Sequence, residues 1–293
     1  ADTAYTEMLF ASRVVNEAGY CTRKLQTCES DSRPLIVQLC ATSAKELAAA
    51  GLLVEKLCDA IDINLGCPLP QASAEGFGAY LLDAERRPLL TSMVSALAAA
   101  VRVPVCCKIR LLASVEETIS LCRDLQAAGC SMIAVHGRTR PPSGEHRRHR
   151  DEPADLDAIR QVVAAIELPI IANGNTQHPR AVAENLQLTG ASGIMSAEGV
   201  LRDPMLFTLG HLPSKRTLAS IALEYLELAR EYPPPELSWV RGHIMWMLGK
   251  NGKGHRCTWE HVGPFSAQQL HTAILGAESV DELDTIVRCT LLS

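Results

Sequence analysis

The chain has 293 residues, of which 47% are hydrophobic and 21% charged, with a formal net charge of -5. That is enough chain for one large barrel or two domains, and the acidic total excludes a general polycation, so any nucleic-acid contact must rest on a local basic patch. Aromatic residues make up 4% of the chain, too few for a broad platform on which single strands stack.

The cysteines number 11, with no C-x-x-C pair, and most lie inside apolar runs, as Cys40, Cys58 and Cys130 do. This usage predicts reduced, buried thiols in a cytoplasmic protein, with the nucleus as the alternative, and neither a disulfide framework nor a structural metal site. No apolar stretch nears membrane-spanning length, and the N-terminus has no signal-peptide pattern. A monomer is expected.

In chain order, short apolar runs alternate with Ala/Leu/Glu-rich helical patterns. Strands are predicted at Ala4–Met8, Pro34–Leu39, Ala60–Leu65, Val103–Ile109, Ser131–His136, Pro169–Asn173 and Ser192–Ser196. Ser43 is placed to cap the helix after the second strand, and Ser114 with Glu117 to form a capping box after the fourth. Near-continuous apolar strands between helices imply a parallel sheet covered on both faces. The expected fold is an α/β protein of the (β/α)8 TIM-barrel type lacking its first strand, which is expected upstream of Ala1. The competing architecture is an open doubly wound sheet. After Met205 the pattern turns helical, at Leu218–Tyr232, Leu237–Lys250, Ser266–Leu275 and Val280–Leu292. The expected organisation is a barrel domain over residues 1–210 and a helical bundle over 211–293.

Polar residues collect at the strand ends. Gln38 ends one strand, Asn64 and Cys67 the next, and Lys108 and Arg110 another. His136-Gly137-Arg138, Asn173-Gly174-Asn175 and Ser196-Ala197-Glu198-Gly199 follow later strands. Taken one at a time, each has a structural reading: Gln38 and Asn173 as caps, His136 as a satisfied core histidine, Lys108 as a strand-end cation. In a barrel, however, these side chains converge on one face, where glycine-containing turns hold phosphate through backbone N–H groups. One fixed cation, one imidazole and one glutamine suit a flavin ring.

Five linked motifs sharpen this picture: Asp62-Ile63-Asn64-Leu65-Gly66-Cys67-Pro68, Cys107-Lys108-Ile109-Arg110, Val135-His136-Gly137-Arg138-Thr139, Ile171-Ala172-Asn173-Gly174-Asn175 and Met195-Ser196-Ala197-Glu198-Gly199. In order and spacing the chain resembles the tRNA-dihydrouridine synthases over roughly residues 4–210, in particular the eukaryotic branch acting on adjacent D-loop uridines (16/17-type). The resemblance implies FMN as cofactor, NAD(P)H as reductant and tRNA as substrate. It implies Cys67 as the proton donor to uracil C5, and a thiol is protonated at neutral pH. Gln38, Lys108 and His136 would bind FMN, with Asn173, Gly174, Asn175, Ala197 and Glu198 at its phosphate end. Asn64 and Arg110 would contact the base. The Ala-Pro-Met-like strand with which that family begins is not in this sequence. Two other functions stay open: a flavin-dependent reductase of a free pyrimidine, and an RNA-binding barrel without flavin.

Two basic clusters offset the acidic total. Arg138, Arg140, Arg147, Arg148 and Arg150 follow a strand carrying flavin candidates, and Lys250, Lys253, His255 and Arg256 lie near Trp259 in the tail. The first is expected to border the site and meet tRNA through Arg138, Arg147, Arg148 and Arg150. Neutralising Arg147, Arg148 and Arg150 together should weaken tRNA binding and lower the slope of log Kd against log salt by roughly 2–3. An unchanged slope in a filter-binding salt titration would refute that assignment.

Overall fold

The computed structural model describes residues 1–25, 33–142, 152–208, 217–248, 261–262 and 265–291. Seven strands form one sheet: β1 (Ala4–Phe10), β2 (Leu35–Cys40), β3 (Ala60–Leu65), β4 (Val105–Leu111), β5 (Met132–Thr139), β6 (Ile170–Asn173) and β7 (Gly193–Met195). Each pairs in parallel with the next, in the order in which they occur along the chain. A doubly wound sheet reverses its strand order at a switch point, and this sheet never does. The arrangement is a curled half-barrel in which β1 and β7 are not paired with each other.

Helices alternate with the strands and start where the sequence places caps. The Ser43 side chain accepts from Glu46 N at the head of Ala44–Val54, and Ser114 accepts from Glu117 N at the head of Val115–Ala127. Asp155 does the same for Leu156–Ala165. The strands sort their residues by parity, as the pleat demands. Val37, Leu39, Ile61, Ile63, Leu65, Ile109, Ile133 and Val135 pack against helix residues such as Leu47, Leu90, Leu97, Leu121 and Ile159 in one core. The alternate residues, among them Gln38, Asp62, Asn64, Lys108 and His136, are thereby turned to the opposite, inner face. Deep on that face Ile36, Ala60 and Cys106 form a small apolar cluster with Tyr5 and Met132. A register shift between Tyr5 and Met8 interrupts the β1–β2 ladder, and there the Thr6 hydroxyl accepts from Gln38 N at 3.1 Å.

Contacts divide the chain into two compact units: Ala1–Thr176 with Ala181–Met195, and Gln177–Arg180 with Ser196–Ser293. The division lies upstream of the expected 210/211 boundary. Within the second unit, the short helix Glu198–Arg202 packs against Leu237–Leu248, where Arg202 lies 5.8 Å from the Trp246 ring centre. That unit holds Leu218–Glu231, Leu237–Leu248, Ala267–Gly276 and Val280–Cys289, close to the expected helices. Leu226, Val240, Ile244, Ile274, Leu283 and Val287 form its core. Thr217 with Ser220, and Ser266 with Gln269, close reciprocal capping boxes.

In the first unit, the helices Ala44–Val54 and Arg87–Ala100 approach closely at Gly51. A Cβ there would lie 2.4 Å from Leu97 Cδ1 and 3.0 Å from Val101 Cγ1. Gly51→Val should therefore overpack the core and lower unfolding stability by about 1–3 kcal/mol, read as a reduced denaturant midpoint at constant slope.

Candidate active site on the inner face of the sheet

The turn after β3 is built around Cys67. Asn64 Oδ1 accepts from Gly66 N at 3.1 Å and from Cys67 N at 3.0 Å. Arg110 Nε donates to Gly66 O at 2.7 Å and its Nη1 to Thr139 O at 3.1 Å. From the other side, Ala79 N donates to Cys67 O at 3.0 Å. That approach requires Gly78, at φ +64, since a Cβ would lie 2.8 Å from Cys67 O. The Tyr80 hydroxyl donates to Pro68 O at 3.3 Å. Arg140 lies over the Tyr80 ring at 4.6 Å, pairs with Asp83 at 2.8 Å and donates to Ala79 O at 2.9 Å. The half-buried Cys67 thiol is thus held on a turn fixed from both flanks.

Beneath it lies a connected set of polar side chains. Asp62, with no exposed surface, accepts from Gln38 Nε2 at 2.8 Å, and Gln38 Oε1 accepts from Asn64 Nδ2 at 2.7 Å. Asp62 Oδ1 and Tyr5 Oη are buried with no hydrogen-bond partner. Burial pushes the Asp62 carboxyl up to about 7, against Gln38 and Lys108, which pull it down. Burial likewise brings Lys108 down to about 8, against the pull of Asp62. His136 falls to about 2, through burial first and then through the cations Lys108, Arg110 and Arg138. It is a neutral imidazole. Arg138 Nη1 lies 2.9 Å from His136 Nε2, and a guanidinium can only donate, so Nε2 accepts and the ring proton sits on Nδ1. Burial and the nearby Arg138 bring Arg110 down to about 10.

At the ends of β5 and β6 the strap 152–155 lies over two glycines. Asp155 N donates to Gly137 O at 2.6 Å, and a Cβ on Gly174 (φ +123) would lie 2.5 Å from Ala154 Cβ. Asn175, at φ +57, bonds Ala154 N at 2.8 Å and Ala154 O at 2.9 Å through its side chain. What it can offer an anion is its backbone N–H. Asn173 Nδ2 donates to Met195 O at 3.0 Å.

Of the residues expected from sequence, the structure brings Gln38, Asn64, Cys67, Lys108, Arg110 and His136 together on the inner face. Asn173 pairs in register with His136, and Gly174 and Asn175 follow it. Ala197 and Glu198 belong to the second unit, where Ala197 precedes the helix Glu198–Arg202 and Glu198 pairs with Arg202 at 3.6 Å. Arg138 does not lie in an open basic loop. It is turned inward, donating to Glu152 O at 2.7 Å and to Asn175 Oδ1 at 3.3 Å besides meeting His136. Arg140 is committed to Asp83 and Tyr80. Arg147, Arg148 and Arg150 lie outside the described residues, as do Lys250, Lys253, His255, Arg256 and Trp259. The sequence reading missed Asp62 as a site residue, although its parity with Asn64 put a lone carboxylate on the inner face. It missed the Arg140–Tyr80 clamp because nothing local signals it.

Two titrations oppose each other in this site. Folding raises Asp62 from 3.8 to about 7, so the folded state keeps a proton that the unfolded chain loses, and stability falls as pH rises across that window. Folding lowers His136 from 6.5 to about 2, so the unfolded chain keeps a proton that the folded state rejects, and stability rises with pH there. Each contributes at most about 1.4 kcal/mol per pH unit, and in the shared window they offset each other. Relative to the parent, Asp62→Asn should therefore gain stability as pH rises from 4 to 7, and His136→Gln should lose it as pH rises from about 2 to 6.5. Denaturant melts across pH that run parallel for all three proteins would contradict both assignments.

Comparison with known proteins bears on the whole arrangement. Residues 1–234 match the family model described as dihydrouridine synthase (Dus). A mouse protein named tRNA-dihydrouridine(16/17) synthase [NAD(P)(+)]-like is 40% identical over 246 residues, 83% of this chain and 49% of its own length. An uncharacterized tRNA-dihydrouridine synthase-like protein of Caenorhabditis elegans is 35% identical over 252 residues, 84% of this chain and 83% of its own. The tRNA-dihydrouridine(16/17) synthase [NAD(P)(+)] of Saccharomyces cerevisiae is 32% identical over 239 residues, 79% of this chain and 55% of its own. The chain spans about half the length of the mouse and yeast relatives. With the family model covering the half-barrel and its site, and three relatives at this level, the chain belongs to the dihydrouridine synthase family.

Proposed function

We propose that this chain reduces uridine to dihydrouridine in tRNA, at adjacent D-loop positions, with FMN as its cofactor and NAD(P)H as the source of electrons. The observation that carries the reading is a half-buried thiol, held by Asn64 and Arg110, on the same sheet face as a lysine and a neutral histidine. The relatives' names support the substrate and the nicotinamide.

The donor set suits a flavin. Lys108 Nζ makes no hydrogen bond among the described residues and carries the positive charge that an electron-accepting ring with carbonyl oxygens favours. His136 offers an Nδ1–H from a neutral ring, and Gln38 lies in the same layer. These three would hold the ring, with Asn173, Gly174 and Asn175 at its phosphate. When bound, the flavin supplies hydride from the nicotinamide to uracil C6. The chain's own residues do the rest. Cys67 holds a proton on Sγ and gives it to uracil C5, so that a hydride and a proton together saturate the C5=C6 bond. Asn64 and Arg110 fix the Gly66–Cys67 backbone, which determines where that proton is presented. The base must leave its stack to reach this face.

The test combines purified protein, FMN, NADPH and unmodified tRNA, with dihydrouridine measured by mass spectrometry. Cys67→Ala should lower uridine reduction by roughly 10²–10⁴-fold while NADPH still bleaches the flavin. Loss of flavin bleaching in that variant would make Cys67 structural. Reduction of free uracil but not of tRNA would favour the small-pyrimidine reductase instead.

A further inference from the structure

We infer that Asp62 is a positioning residue: it fixes which way the side-chain amides of Gln38 and Asn64 point, and through them where the backbone of Cys67 is held. An amide side chain has two ends alike in shape and opposite in hydrogen-bond character. The Asp62 oxygen that faces Gln38 is an acceptor, and Gln38 turns its NH2 group toward it at 2.8 Å. Gln38 is then left with Oε1 facing Asn64, and accepts from Nδ2 at 2.7 Å. Asn64 is left with Oδ1 facing the turn, where it receives Gly66 N at 3.1 Å and Cys67 N at 3.0 Å. Each bond leaves one orientation for the next. Reversing Gln38 would set Oε1 against a carboxylate oxygen and NH2 against NH2, and reversing Asn64 as well would aim an NH2 group at two backbone N–H groups.

Two further observations single out Asp62 as the origin of this order. It is wholly buried, and among the described residues Gln38 donates the single hydrogen bond that its carboxyl group receives, the other oxygen being buried without a partner. A buried carboxylate serving the architecture would be ringed by donors, whereas this one directs its bond into the relay. The relay is also anchored at its middle, since Thr6 Oγ1 accepts from Gln38 N and fixes the strand from which the glutamine reaches.

This inference deepens the reading of Cys67 as proton donor, but its test does not depend on catalysis. Amide hydrogen exchange is followed by NMR at Gly66 and Cys67, with Ile133 and Val135 as core references. In Asp62→Asn the new side chain can present either end, so exchange at Gly66 and Cys67 should quicken by roughly 10-fold while the references keep the parent's rates. Alkylation of Cys67, followed on its own peptide, should change with it. In a Gln38→Leu background, adding Asp62→Asn should produce no further change, because the effect passes through Gln38. Parent-like exchange at both amides in folded Asp62→Asn overturns the inference, as does an undiminished effect in the Gln38→Leu background. If Asp62→Asn does not fold, Gln38→Leu alone must release the two amides, and its failure to do so also overturns it. A parent protein that makes no dihydrouridine would refute the proposed function and leave the exchange result standing.

Discussion

The side chain of Asn64 accepts hydrogen bonds from two successive backbone N–H groups, and the rest of the site is arranged around that interaction. A strand that ends in Gly66-Cys67-Pro68 leaves backbone donors without ladder partners, and donors left unpaired out of water are costly. Asn64 satisfies two of them while Arg110 binds the carbonyl between them. The consequence is mechanical. The thiol is fixed relative to the sheet, because both of its tethers come from adjacent strands.

The electrostatics follow from placing charges on the face of the sheet opposite the one that packs against the core helices. Asp62 and Lys108 moderate each other across neighbouring strands, each shifted by burial and partly drawn back by the other. His136 has the opposite experience. It lies among three cations and stays neutral, so it offers a hydrogen bond without adding a fourth charge. A face built this way is rich in donors and cations, with Lys108, Arg110 and Arg138 around a neutral His136.

The strap 152–155 and the Arg140 clamp show how loops can be made rigid without secondary structure. Small residues permit the first, since Gly137 and Gly174 leave room for Ala154 and Asp155 to lie directly on the strand ends. A cation, a ring and a carboxylate produce the second, joining Arg140, Tyr80 and Asp83 beside the Cys67 turn. Together they explain why arginines that read as a basic surface in sequence are partly structural. Arg138 and Arg140 satisfy carbonyls and a carboxylate before any polyanion arrives.

Much of this was legible from local pattern. Short runs of β-branched and aliphatic residues located every strand of the sheet, and Ser43 and Ser114 located helix starts, because strand and cap are decided within a few residues. Their positions toward the strand ends put Asn64, Lys108 and His136 on one face. The strand order, however, depends on which ladders close, and only the tertiary structure distinguishes a barrel-like succession from a doubly wound sheet. The orientation of Gln38 depends on a carboxylate 24 residues away, and Arg140 reaches an acid 57 residues away. Sequence by itself determined which residues face inward. Which of them hold one another, and so which way the amides at Cys67 point, was decided by distances between strands that no local spacing encodes.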